Sequence, residues 1–205
     1  MSGVLYKIIN EILNVEDLKF LELGLGGGGG GTFRKINCKH KRGVDTLPIE
    51  QIGMDLEGQI FCPMTTDDYF SSGTQEKFDI IFIDACHEYT HVLKDFNNST
   101  KCLNPGGVIF IHDLVPIDAN HTQLHLSGDG YNLLYHLWQI GYKNVITMNT
   151  DCGLTMFLRP KEQVSPPEEN KFVSYDKLME EYSKRKIYSE DEMTALLIAH
   201  FGEQQ

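Results

Sequence analysis

Five short apolar runs recur along the first half of the chain: Lys19–Leu23, Arg42–Asp45, Gln59–Pro63, Phe78–Asp84 (FDIIFID) and Gly107–Asp113 (GVIFIHD). The last two are almost uninterrupted Ile, Phe and Val, the pattern of parallel strands covered on both faces. Between them, Tyr89–Cys102 carries Val92, Leu93 and Phe96 at helical spacing. Asn104-Pro105-Gly106-Gly107 predicts the turn that stops that helix. An amphipathic helix over Met1–Leu13, with Leu5, Ile8, Ile9 and Ile12 on one side, precedes the first run. The alternation predicts an α/β fold with a Rossmann-like, doubly wound parallel sheet.

The end of the pattern is more specific. A helix over Gly130–Ile140 leads to the run Asn144–Met148, five turn residues, and the run Leu154–Leu158. Five residues cannot carry a parallel crossover, so these two runs pair as an antiparallel hairpin. The expected sheet therefore has seven strands, mostly parallel, with the last one reversed. Pro160–Asn170 holds three prolines and several acids and reads as a linker. Ser174–Arg185 and Ser189–Phe201 read as helices, the second opened by a Ser189/Glu192 capping box. Residues 1–159 are expected to form one domain. Residues 160–205 would pack on it or on a partner subunit.

Charge and cysteines narrow the class. A formal charge of −11 over 205 residues argues against nucleic acid or an anionic membrane as the main partner. The five cysteines include no Cys-x-x-Cys pair, which fits reduced thiols in a cytoplasmic protein. No apolar stretch approaches the roughly twenty residues that span a bilayer.

Candidate chemistry gathers at the ends of the runs. Glycine fills Gly26–Gly31 directly after the first run, so the backbone there can pass close to a ligand. Glu22 lies inside that run. Asp45 ends the second run about twenty residues later, where an acid accepts hydrogen bonds from ribose hydroxyls. Asp67 follows the third run, on the side where an adenine amino group would lie. These positions predict an adenosine-containing ligand, shared by NAD and S-adenosylmethionine enzymes.

His87-Glu88-Tyr89-Thr90-His91 fits the zinc-protease pattern H-E-x-x-H, but His87 follows Asp84 by only three residues, before a helix can begin. A better grouping is Asp84, His87, His112 and Asp113. In a parallel sheet the carboxyl ends of adjacent strands face one crevice. Asp84, His112 and Asp113 would converge there as ligands for a divalent cation such as Mg²⁺ or Mn²⁺. Such an ion acidifies and orients a substrate hydroxyl, and His87 would serve as general base.

With these residues, Glu22-Leu23-Gly24-Leu25-Gly26-Gly27-Gly28 resembles the acidic-x-Gly-x-Gly-x-Gly loop of class I S-adenosylmethionine methyltransferases. FDIIFIDACHEYTHVLKDF and LNPGGVIFIHD are similar to their bacterial branch in glycan and natural-product pathways, near the macrocin-type sugar O-methyltransferases. Gly128-Asp129 and Asp151-Cys152-Gly153 follow the same pattern. The resemblance implies Glu22, Gly24, Gly26, Gly28, Asp45, Asp67 and Asp84 as cofactor contacts. It also implies a metal on Asp84, His112 and Asp113, with His112 standing where relatives carry an acid, and His87 as base. The implied activity is O-methylation of a sugar or small-metabolite hydroxyl, by a protein able to form homo-oligomers. Two alternatives share parts of this pattern: an NAD(P)-dependent oxidoreductase or epimerase, and a methyltransferase-fold binding module without turnover.

Overall fold

A computed structural model describes residues 3–26, 31–48, 59–150, 152–158, 160, 164–166 and 172–203. Seven strands form one sheet: β1 (Lys19–Leu23), β2 (His40–Asp45), β3 (Ile60–Pro63), β4 (Phe78–Ile83), β5 (Leu103–Ile111), β6 (Val145–Thr147) and β7 (Thr155–Leu158). Their order is β3-β2-β1-β4-β5-β7-β6. The first five are mutually parallel, and β7 is antiparallel to both β5 and β6. The reversed terminal hairpin is thus present. Because the order turns outward on either side of β1 and β4, the crevice at their carboxyl ends is the topological switch point of the sheet.

Alternation along the strands divides the core. Phe20, Ile80, Phe82, Val108 and Phe110 face one side, packed under α1 (Leu5–Asn10), α2 (Gly31–Lys35) and the final helix. Leu21, Leu23, Ile81, Ile83, Ile109 and Ile111 face the other. They are covered there by the helices α3 (Thr66–Ser71), α4 (Tyr89–Cys102), α5 (Tyr131–Gln139) and α6 (Tyr175–Tyr182). Both faces being buried explains why β4 and β5 are apolar almost throughout.

Two expected elements differ. The first helix is only Leu5–Asn10, although Ile12 beyond it is still buried. Asn104-Pro105-Gly106-Gly107 does not form a separate turn. β5 begins at Leu103, directly after α4, and its pairing with β4 shifts between Phe78 and Ile80. Asp79 causes this by binding both neighbours, accepting from Asn104 Nδ2 at 2.7 Å and from Lys19 N at 2.8 Å. The turn residues are thereby drawn into the sheet as an irregularity.

The C-terminal segment packs against the same sheet. Tyr188 N donates to Thr147 O at 3.0 Å, and His200 of α7 (Glu190–Gly202) donates from Nε2 to Gly106 O at 2.6 Å. The Ser189/Glu192 capping box is present in full. Among the described residues, no helix is long and apolar enough to cross a membrane.

Candidate functional site

The carboxyl ends of β4 and β5 bring Asp84, His87, His112 and Asp113 together. His87 Nε2 lies 3.5 Å from Asp84 Oδ1 and 3.4 Å from Asp113 Oδ2. His112 Nδ1 lies 3.0 Å from the same Asp113 oxygen and 3.3 Å from Asp84 Oδ1. One oxygen of each acid and one ring nitrogen of His87 fall within 4.8 Å of one another. Asp113 sits at φ 60°, a left-handed conformation that costs energy for an aspartate and aims its carboxylate into the group.

Neighbouring loops hold these groups in place. His87 Nδ1 donates to Leu126 O at 2.5 Å, which fixes the tautomer and leaves Nε2 facing the two acids. Ser127 Oγ donates to Asp113 Oδ1 at 2.8 Å. Gly130 N donates to His87 O, and Asp129 accepts from Tyr89 N at 2.7 Å, seating the start of α4. At Gly128 (φ +62°) a Cβ would fall 2.4 Å from His87 O, so only glycine allows this loop to lie against His87.

The contacts set the protonation states. The hydrogen bond to Asp84 raises the His87 pKa against the effect of burial, with help from Leu126 O and the Asp113 charge. Burial would raise the Asp113 carboxyl, but the His112 and Ser127 hydrogen bonds outweigh it and bring it down to about 2. Asp84 is buried too, and its hydrogen bonds with His112 and His87 hold it below the ordinary carboxylate value.

Asp84 also borders a cavity of about 450 Å³, lined by Gly24, Gly26, Asp45 and Asp67 among others. Gly24 (φ +84°) is fixed by packing as well as by conformation, since a Cβ would lie 2.3 Å from Asp84 O. Gly26 (φ +67°) opens onto free space. Asp45 is already engaged: Oδ2 accepts from Leu25 N at 2.7 Å and Gly26 N at 2.9 Å, and Oδ1 from Leu47 N at 2.8 Å. A carboxylate offers about four acceptor sites, so roughly one remains for a ligand.

The expected site residues fall into three groups. Gly24, Gly26, Asp45, Asp67 and Asp84 line the cavity. His87, His112 and Asp113 form the adjoining cluster with Asp84. Glu22 belongs to neither. It is buried on the β1 face shared with Lys41, its Oε2 has no hydrogen-bond partner among the described residues, and burial pushes its carboxyl pKa well up. Gly28 lies outside the described residues.

Sequence reading missed Ser127 and the Leu126 carbonyl, which act from a loop without a motif. It also missed Thr65, Thr66, Cys86 and His91 on the cavity wall. Their only signal is position, directly after the ends of β3 and β4. The two histidines of the H-E-x-x-H match part company: Glu88 is the N-cap of α4, His87 turns toward Asp84 and Asp113, and His91 pairs with Glu88.

Comparison with known proteins agrees with this architecture. A family model described as a methyltransferase domain matches residues 59–114, spanning β3 to β5. No curated protein sequence matches the chain. Among solved structures, the MycE methyltransferase of the mycinamycin biosynthetic pathway, in complex with Mg and SAH, superposes with a TM-score of 0.54 at 18% identity. That match covers 80% of this chain and 50% of MycE, so the chain spans about half the length of that relative. An O-methyltransferase from Bacillus cereus in complex with SAH gives 0.56 at 16% identity, over 77% and 81% of the two chains. A putative caffeoyl-CoA O-methyltransferase from Staphylococcus aureus gives 0.56 at 17%, over 78% and 85%. The chain has the class I methyltransferase fold, and its central strands carry the sequence signature of a methyltransferase domain.

Proposed function

We propose that the protein is an S-adenosylmethionine-dependent O-methyltransferase acting on the hydroxyl of a sugar or other small metabolite. One observation carries this reading: Asp84 belongs both to the cavity beside the glycine loop and to the acid–imidazole cluster. A methyl donor in the first and an acceptor hydroxyl at the second would meet across a single side chain. Val44, Leu47, Met64 and Ala85 offer apolar walls for an adenine ring, and Asp45 and Asp67 offer acceptors for its polar edge and ribose. Methyl transfer is an in-line displacement, so catalysis consists mainly of positioning the hydroxyl and removing its proton.

The cluster also suits a divalent cation, since two carboxylates held within 4.8 Å of each other repel unless a positive charge joins them. Asp84, Asp113 and His112 would hold it, and the ion would supply charge that acidifies an acceptor hydroxyl. His87, with Nδ1 committed to Leu126 O, is the group placed to receive the proton at Nε2. Its 3.4–3.5 Å separations from both acids favour a second reading, in which Nε2 is itself a ligand.

Calorimetric titration tests the cofactor. S-adenosylmethionine should bind and NAD should not; the opposite result would overturn the proposal in favour of an oxidoreductase. His87→Gln separates the two histidine roles. As the base, it lowers methyl transfer by about 10²- to 10⁴-fold while Mg²⁺ or Mn²⁺ affinity persists. As a ligand, it loses both.

A further inference from the structure

We infer that Cys86, Glu88 and His91 form a second cation site, softer than the carboxylate-rich cluster, which takes Zn²⁺ and closes the cavity to an adenosine-containing ligand. A sulfur of Cys86, a carboxylate oxygen of Glu88 and a ring nitrogen of His91 lie within 4.8 Å of one another. His91 Nδ1 is already 3.4 Å from Glu88 Oε2 and otherwise has no hydrogen-bond partner among the described residues. Zinc bonds of about 2.3 Å to sulfur and about 2.0–2.2 Å to nitrogen and oxygen place tetrahedral ligands roughly 3.4–3.7 Å apart. The trio therefore needs only small side-chain rotations to close on an ion.

The fold places the three donors. Glu88 is the N-cap of α4 and His91 lies three residues on, so both occupy one side of the first turn. Cys86 arrives from the loop that leaves β4. A thiolate, an imidazole and one carboxylate favour Zn²⁺ over Mg²⁺, whereas two carboxylates favour the harder ion. Three protein ligands leave a fourth position open, the pattern of an exchangeable rather than a structural zinc.

Location gives the consequence. Cys86 and His91 both line the 450 Å³ cavity, together with Asp67 and Thr66. Drawing the two side chains onto one ion would rearrange that wall. This half of the inference rests on the cofactor reading proposed above; the metal site does not.

The test uses Co²⁺ as a spectroscopic probe and Zn²⁺ as competitor on the full chain. One equivalent of Co²⁺ should give a thiolate charge-transfer band that Zn²⁺ abolishes. Cys86→Ser should remove the band, and His91→Gln and Glu88→Gln should weaken Zn²⁺ binding by more than about tenfold. Cys152→Ser should retain the band, a necessary control because Cys152 contacts Asp113. No band in the parent, or a band that survives Cys86→Ser and vanishes in Cys152→Ser, would overturn the site. Calorimetry with S-adenosylhomocysteine then reads the closure. One equivalent of Zn²⁺ should weaken its binding at least tenfold in the parent and leave His91→Gln unaffected. Zinc binding without that change would overturn the closure alone. Failure of S-adenosylhomocysteine to bind without zinc would sink the cofactor reading and the closure with it, while the cobalt spectrum still decides the site.

Discussion

Asp45 and Asp84 occupy equivalent stations, each at the carboxyl end of a parallel strand beside the glycine loop, yet their surroundings are opposite. Asp45 is filled by backbone amides: Leu25, Gly26 and Leu47 all donate to it. Asp84 is surrounded by imidazoles, with His87 at 3.5 Å and His112 at 3.3 Å. The first acid shapes a loop. The second shares charge with groups that can bind a cation or move a proton. On one side of the crevice the site is built from backbone geometry, on the other from titratable side chains.

Asp84→Asn attacks the second side and should have the largest effect. It keeps the shape but removes one of the two negative charges, so methyl transfer should fall by about 10³-fold or more. Divalent-cation affinity should fall with it, while thermal stability changes little. An active Asp84→Asn enzyme would mean that the cluster is not the reacting centre.

Asp45→Asn attacks the first side and should act differently. An amide cannot accept at both ends, so either the paired Leu25 and Gly26 amides or the Leu47 amide loses its partner. Each such loss costs about 1–3 kcal/mol, or roughly ten- to a hundredfold in cofactor affinity. With saturating cofactor, kcat should stay near that of the parent. A fall in kcat with unchanged affinity would erase the distinction between the two acids.

The same division explains what the sequence disclosed. The strands were legible because burial on both faces leaves β4 and β5 apolar, and the reversed hairpin because five residues are too few for a crossover. Asp84, His87, His112 and Asp113 could be grouped because topology alone places the ends of β4 and β5 together. Leu126 and Ser127 could not, because they act through a backbone carbonyl and a hydroxyl on a loop with no periodicity. The occupied state of Asp45 was equally hidden, since backbone amides leave no mark on residue identity. Asn104–Gly107 misled for a related reason: its turn residues are overruled by the Asp79 hydrogen bonds.

A third acid, Asp95 on α4, extends the comparison to a carboxyl with neither amides nor imidazoles to satisfy it. It is 1% exposed, and its Oδ2 has no hydrogen-bond partner among the described residues. Burial pushes its pKa up to about 6, with Asp67 adding to the effect and a Thr66 hydrogen bond opposing it. The protonated form is the one the fold prefers. Its contribution to stability is therefore complete below the unfolded value near 4 and is lost as pH rises through about 6. Two units correspond to roughly 3 kcal/mol, so Asp95→Asn should gain about 1–3 kcal/mol over the parent at pH 7. It should gain nothing at pH 4. Urea unfolding of both proteins across pH 4–8 reads the difference directly, and parallel curves would show that Asp95 is ionised at no cost.

The smallest effect tests whether the C-terminal helix matters to either side of the crevice. Ser189 Oγ accepts from Glu192 N at 3.2 Å, and Glu192 Oε2 accepts from Ser189 N at 3.0 Å. Losing the serine hydroxyl removes half of this reciprocal cap, at a cost of about 1 kcal/mol. That corresponds to a fall in Tm of about 2–4 °C for a chain of this size. α7 buries Met193, Leu197 and Phe201 on the sheet face opposite α4, α5 and α6, away from the helices that follow the reacting acids. Ser189→Ala should therefore lower Tm with cofactor affinity and kcat unchanged. If cofactor affinity fell with the melting temperature, the helix would have to support the glycine loop through α1 and α2, which share its core.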